Sequence, residues 1–187
     1  MVNTSGVNIR NIQVLSSPNH GLLINGNVWN CLIEWSRFQY CDYGIFLNAA
    51  VNQINAMSFR NCLLLSNAIG LRSITGTCNK FSECDISGNT TAGVLQDGGG
   101  NALGILNCYL ERNAGKQISI DGQRAPKIDG CYLYGGAGAG AESDYAIELL
   151  NTYHASVSGN MSWGHNVDPM TTTNDENTEY FGNDFLG

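Results

Sequence analysis

The chain has 187 residues, of which 43% are apolar and 13% charged, enough for one domain around a continuous core. Its 23 glycines and 23 asparagines, against only three prolines, make sharp bends frequent and exclude a helical bundle, a collagen-like repeat and a disordered tract. The formal charge is −7, with all nine Lys and Arg residues before Ala141, and no basic stripe exists to meet the phosphates of a nucleic acid.

No window reaches the ~18 apolar residues of a membrane-spanning helix, and Met1 to Arg10 lacks a basic-then-apolar signal pattern. Seven cysteines, an odd number without Cys-x-x-Cys spacing, predict neither a zinc site nor a complete disulfide set.

Short strands follow one another from the N-terminus in a repeating order. The column Ile12, Phe38, Cys62, Cys84, Cys108, Cys131, Asn160 recurs at intervals of 26, 24, 22, 24, 23 and 29 residues. Three residues earlier stand Ile9, Trp35, Phe59, Phe81, Ile105, Ile128 and Val157; two residues later stand Val14, Tyr40, Leu64, Ile86, Leu110, Leu133 and Ser162. A further strand of each period starts at Gly21, Gly44, Gly70, Gly93, Gln117 and Ala146 and alternates apolar with polar positions.

Strands of about three to five residues divided by Gly/Asn bends leave no room for helical crossovers, so each period winds once and stacks in parallel on the next, about 4.8 Å away. This predicts an all-β, single-stranded parallel β-helix of about seven coils over residues 1–167, followed by an acidic C-terminal cap or linker over residues 168–187. Inside it, Cys62 to Cys131 form a ladder of buried thiols, and Asn67, Asn89 and Asn113 form an amide ladder at a bend. The glycine-rich run Gly135 to Asp144 lengthens one bend, and Gly98-Gly99-Gly100, with no Lys-Ser/Thr after it, is a wide bend and not a phosphate loop.

Strand parity then assigns the outer face. One outer column reads Gln13, Gln39, Leu63, Asp85, Tyr109, Tyr132, Met161 and the next Leu15, Cys41, Leu65, Ser87, Glu111, Tyr134, Trp163. Tyr109, Tyr132, Tyr134 and Trp163 offer flat apolar surface to the C–H faces of sugars. Asp85 and Glu111, one coil and two residues apart, are separated by about 8 Å, within the ~6.5–9.5 Å of an inverting carboxylate pair. Asp97 and Asp121 stack on another strand with Glu148 one coil away, a second acid–base candidate whose plain alternative is turn capping. The aromatic face equally fits a contact between subunits.

The runs GLLI…CLIEWSRF, GIFL…MSFRNCLLLSN, IGLRS…FSECDISGN and AGVLQ…ILNCYLERN resemble the right-handed parallel β-helices of the pectate-lyase-like superfamily, including bacteriophage tailspike depolymerases, over roughly residues 6–165. Members of that superfamily are usually longer, so the expectation is a fragment, a truncated domain or a minimal member. The resemblance implies a right-handed coil, a bacterial surface polysaccharide as partner, a homotrimer, a virion or secreted location and no membrane insertion. It implies hydrolase, lyase or C5-epimerase chemistry without a cofactor, save that an elimination calls on a base that removes the proton next to a sugar carboxyl group and on Ca²⁺ or Arg to stabilise the resulting carbanion; Arg72, Lys80 and Arg112 are the basic residues on the outer faces. Arg72 and Arg112 are also the expected charged contacts to the glycan. The competing expectation is a non-catalytic structural or adhesive shaft whose outer face is a subunit interface.

Overall fold

The computed structural model describes residues 3–48, 53–136 and 143–186. Among them all regular structure is β, and every strand pairs in parallel with its equivalent one coil away. One coil shows the plan: Ser58–Arg60, Leu63–Leu65, Ile69–Ser73 and Gly76–Thr77 follow in order. The first belongs to an eight-stranded sheet, the second to another eight-stranded sheet, and the last two to a third sheet of 11 strands. Eight stacked rungs enclose seven turns, as the repeat predicts.

Left-handed single residues make the corners. Between the first and second sheets, Asn11, Trp35, Asn61, Glu83, Asn107, Gly130, Gly159 and Gly182 all have φ between 51° and 65°. Between the third sheet and the next coil, Gly6, Asn30, Ala56, Cys78, Ala102, Ala125, His154 and Asn177 do the same, with φ from 48° to 68°. One such residue redirects the chain and lets the strand resume at once, and Gly and Asn adopt it with least strain. The corners thus account for part of the unusual Gly and Asn content.

The interior is built from like residues stacked on like. Phe59 and Phe81 lie face to face with centroids 4.4 Å apart, and Ile33, Ile105 and Ile128 extend their column. Cys62, Cys84, Cys108 and Cys131, each at most 2% exposed, form the predicted ladder. Each thiol donates to the carbonyl two residues before it at 3.3–3.6 Å. Contact with neighbouring thiols, and burial after it, hold Cys84 and Cys131 well above the ordinary thiol range.

The amide ladder stands at the corner between the second and third sheets. Asn89 donates from Nδ2 to the Leu64 carbonyl at 3.1 Å and to Asn113 Oδ1 at 2.7 Å, while its Oδ1 accepts the Asn67 N–H at 2.9 Å. Farther along, Asn160 succeeds the cysteines in their column, accepting the Cys131 N–H at 2.9 Å and donating to the Ile128 carbonyl at 3.0 Å.

The second coil departs from the sequence expectation. Phe38 pairs with Val14 and Leu64, and Ile33 pairs with Ile9 and Phe59. Ser36, not Phe38, thus precedes Cys62 in the ladder, while Trp35 and Tyr40 stand outside at left-handed corners, 60% and 58% exposed. A two-residue slip preserves the inside–outside parity, so alternation alone does not reveal it. Cys41 accordingly moves to the interior, and Arg37 replaces Gln39 in the outer column of Leu63 and Asp85.

The stretch after Val167, expected as a cap or linker, instead continues the coil: Asp168–Thr173, Glu179–Phe181 and Asp184–Phe185 each pair with the preceding rung. Backbone pairing carries the solenoid there with a largely polar sequence. Of the glycine-rich bend, residues 137–142 lie outside the described residues.

Two outcomes follow for the folded protein. Cys78, the exposed cysteine, reacts rapidly with a thiol reagent, and the six buried ones react only on unfolding. Asn89→Ala leaves the Asn67 N–H without its acceptor, removes one donor from the Leu64 carbonyl, and lowers unfolding free energy in urea by about 2 kcal/mol.

Candidate functional site

The outer face of the second sheet brings together the residues expected there. Register places Arg37, Leu63, Asp85, Tyr109, Tyr132 and Met161 in one column, and Gln39, Leu65, Ser87, Glu111, Tyr134 and Trp163 in the next. Tyr109 and Tyr132 stack with centroids 5.0 Å apart and 10° between planes. Tyr132 meets Trp163 edge-on at 4.9 Å, and Trp163 meets Tyr134 at 5.5 Å. Four rings thus form one continuous surface across three coils.

The carboxylates stand at the upstream end of that surface. Glu111 accepts the Tyr109 hydroxyl at 2.7 Å and pairs with Arg112 Nε at 3.1 Å. That hydrogen bond pushes the Tyr109 phenol up to about 12, so it remains a donor across the neutral range. Asp85 accepts the Ser87 hydroxyl. Burial pushes the Asp85 carboxyl above the ordinary carboxylate range; the Ser87 hydroxyl opposes that shift and the Glu111 charge adds to it. The pair therefore differs in surroundings: one half-buried carboxyl raised above its ordinary range, and one carboxyl group held by a phenol and a guanidinium.

A cleft of about 350 Å³ opens on the other side of Asp85, with Trp35, Asn61 and Glu83 along its corner wall and Arg37 and Leu63 beside them. Trp35, Arg37 and Glu83 were not reached as site residues from sequence. The signal was there: Trp35-Ser36 aligns with Asn61-Cys62, Glu83-Cys84 and Asn107-Cys108 once the corner residue is matched instead of the largest apolar one.

The second acid–base candidate is assembled differently. Asp97 and Asp121 are stacked in register as expected. Arg72, however, holds Asp97 through Nε and Nη2, both at 3.0 Å, donates to the Tyr43 hydroxyl at 3.0 Å and lies over the Tyr43 and Phe46 rings. Asp121 accepts Asn151 Nδ2 at 2.8 Å, and Glu148 accepts Ser119 at 2.6 Å and Lys116 at 2.5 Å. Each carboxylate already has a partner, and Arg72 is committed to the protein itself. Among the described residues no three His, Cys, Asp or Glu side chains converge to hold a metal ion. No helix among those residues is long and apolar enough to cross a membrane.

A family model described as "Right handed beta helix region" matches residues 70–184. No curated protein sequence matches the chain. Among solved structures, the periplasmic alginate epimerase AlgG is similar at 13% identity and a TM-score of 0.62, over 92% of this chain and 44% of that one. The catalytic unit of a thermostable GH87 α-1,3-glucanase from Streptomyces thermodiastaticus is similar at 12% identity and a TM-score of 0.59, over 98% of this chain and 45% of that one. The chain spans less than half the length of either structure.

The state of Asp85 is open to measurement. Its carboxyl protonates more readily folded than unfolded, so its ionisation costs stability above the ordinary aspartate pKa of ~3.9 and nothing well below it. Asp85→Asn is accordingly expected to melt higher than the parent protein at neutral pH, with the gap closing as pH falls through that range; a lower Tm at neutral pH contradicts the assignment.

Proposed function

The chain belongs to the right-handed β-helix family, and from that premise we propose that the outer face of its second sheet binds a polysaccharide, with the sugar chain running along the solenoid axis. The observation that carries this reading is the unbroken surface of Tyr109, Tyr132, Trp163 and Tyr134 ending at Asp85 and Glu111. Flat rings in succession suit the C–H faces of successive sugars, and the flanking carboxylates and phenols suit their hydroxyls. The two solved structures described above, by name an alginate epimerase and an α-1,3-glucanase, support a glycan over other ligands.

Cleavage is the specific form of the proposal. Asp85, protonated more readily than an ordinary aspartate, gives its proton to the glycosidic oxygen as the bond to the anomeric carbon breaks. Glu111, oriented by Tyr109 and Arg112, takes a proton from the water that attacks that carbon. A diagonal of about 8 Å leaves room for the water and gives inversion. In its narrowest form the glycan is a bacterial surface polysaccharide and the protein a tailspike-type homotrimer on a virion.

Binding to a glycan array and release of reducing ends test both parts. Tyr132→Ala weakens binding tenfold or more, about 1.4 kcal/mol, whereas Asp85→Asn binds normally and releases no reducing ends. Should Tyr132→Ala and Trp163→Ala bind glycan as the parent does yet sediment as a smaller species, the face is a contact between subunits and the glycan reading is wrong.

A further inference from the structure

We infer that the corner cleft beside Asp85 is a second sugar subsite, taking an uncharged pyranose residue on the side of the carboxylate opposite the tyrosines. The inference rests on the proposal that this face binds glycan, and extends the sugar's path two coils toward the N-terminus.

Three observations point to it. First, of the eight left-handed residues at the corner between the first and second sheets, only Trp35 and Glu83 are neither Asn nor Gly. Both line this cleft, with Asn61 between them. A bulky side chain in that conformation is strained and is kept where something else favours it. Packing does not favour Trp35, which is 60% exposed. Second, Arg37 lines the same cleft, and its buried Nε has no hydrogen-bond partner among the described residues. Third, Leu63 lies between Arg37 and Asp85 in register and is partly exposed, giving an apolar floor between polar ends.

These groups divide as a sugar ring requires. The Trp35 indole and Leu63 offer apolar surface to the ring's C–H bonds. Asn61, Glu83 and Arg37 supply acceptors and donors for its hydroxyls. With Asp85 holding its proton, Glu83 balances the Arg37 guanidinium and leaves no net positive charge to attract an anionic sugar here. About 350 Å³ falls at the lower end of small-ligand sites, fitting one ring and not a longer segment. With the tyrosines downstream and Trp35 upstream, Asp85 then stands beneath the linkage between two held sugars.

The chain has three tryptophans, so the indole N–H signals of ¹⁵N-labelled protein report the two ends separately. Trp35→Asn and Trp163→Phe assign their peaks. The probes are neutral malto-, cello-, laminari- and chito-hexasaccharides. The expected result is that one of them shifts both the Trp35 and Trp163 signals, that Trp35→Asn weakens its binding, followed at Trp163, about tenfold, and that the same substitution raises Tm by relieving the corner. A shift at Trp163 without one at Trp35 overturns the subsite and leaves the proposed function standing. No shift at either removes both. A fall in Tm in Trp35→Asn makes Trp35 a structural support and overturns the inference even if binding weakens.

Discussion

Everything in this molecule answers to one constraint: each residue lies about 4.8 Å from its counterparts in the coils above and below. A side chain that stacks well on its own kind is rewarded repeatedly, and one that repels its own kind is penalised. Thiol stands on thiol from Cys62 to Cys131, ring on ring at Phe59 and Phe81, and amide on amide from Asn67 to Asn113. Charges show the same constraint in reverse. Glu34 lies in register between Arg10 and Arg60 and pairs with Arg10. Where two aspartates do coincide, at Asp97 and Asp121, an arginine and an asparagine from other coils meet them.

The interior is therefore committed to stacking, and the outer columns are free to vary. Buried Asn side chains satisfy the backbone at the corner between the second and third sheets, so the fold asks little of the residues pointing away from the axis. A run of rings and carboxylates on the second sheet costs the core nothing. The corners differ in this respect, because a left-handed residue is part of the fold and its side chain still faces solvent. Trp35 and Glu83 thus hold positions where Asn or Gly serves the backbone better, which makes them informative in a way that Tyr132 is not.

Sequence periodicity was sufficient for the architecture because the Cys and Asn columns repeat in type as well as in hydrophobicity. It failed where type varied. In the second coil Trp35, Phe38 and Tyr40 look more like core than Ile33, Ser36 and Phe38, and only the corner conformation separates the two registers. After Val167 the apolar alternation lapses while backbone pairing persists, and pairing leaves no mark in side-chain type. Outer columns followed from parity, so Asp85, Glu111 and the four rings were legible. The Arg72 contact to Asp97 was not, because it joins residues 25 positions apart through a long side chain whose direction parity does not set.

The stacking rule also governs the chemistry of a carboxyl on the surface. Asp129 has Leu106 and Ser158 as its neighbours in register; the Ser158 hydroxyl, and Lys127 after it, hold its carboxyl below the ordinary range. Asp85 lies between Leu63 and Tyr109, neither of which donates to it, and burial holds its carboxyl above that range. The two aspartates stand on neighbouring sheets of one solenoid, and their opposite shifts come from their surroundings: Ser158 one rung away and Lys127 on its own strand for Asp129, burial against the Ser87 hydroxyl of its own strand for Asp85. In this architecture an acid is tuned both from its own strand and from the adjoining coils, some 20 to 30 residues distant in sequence. A general acid can consequently arise on such a face by changing its neighbours in the column while the carboxyl itself stays in place.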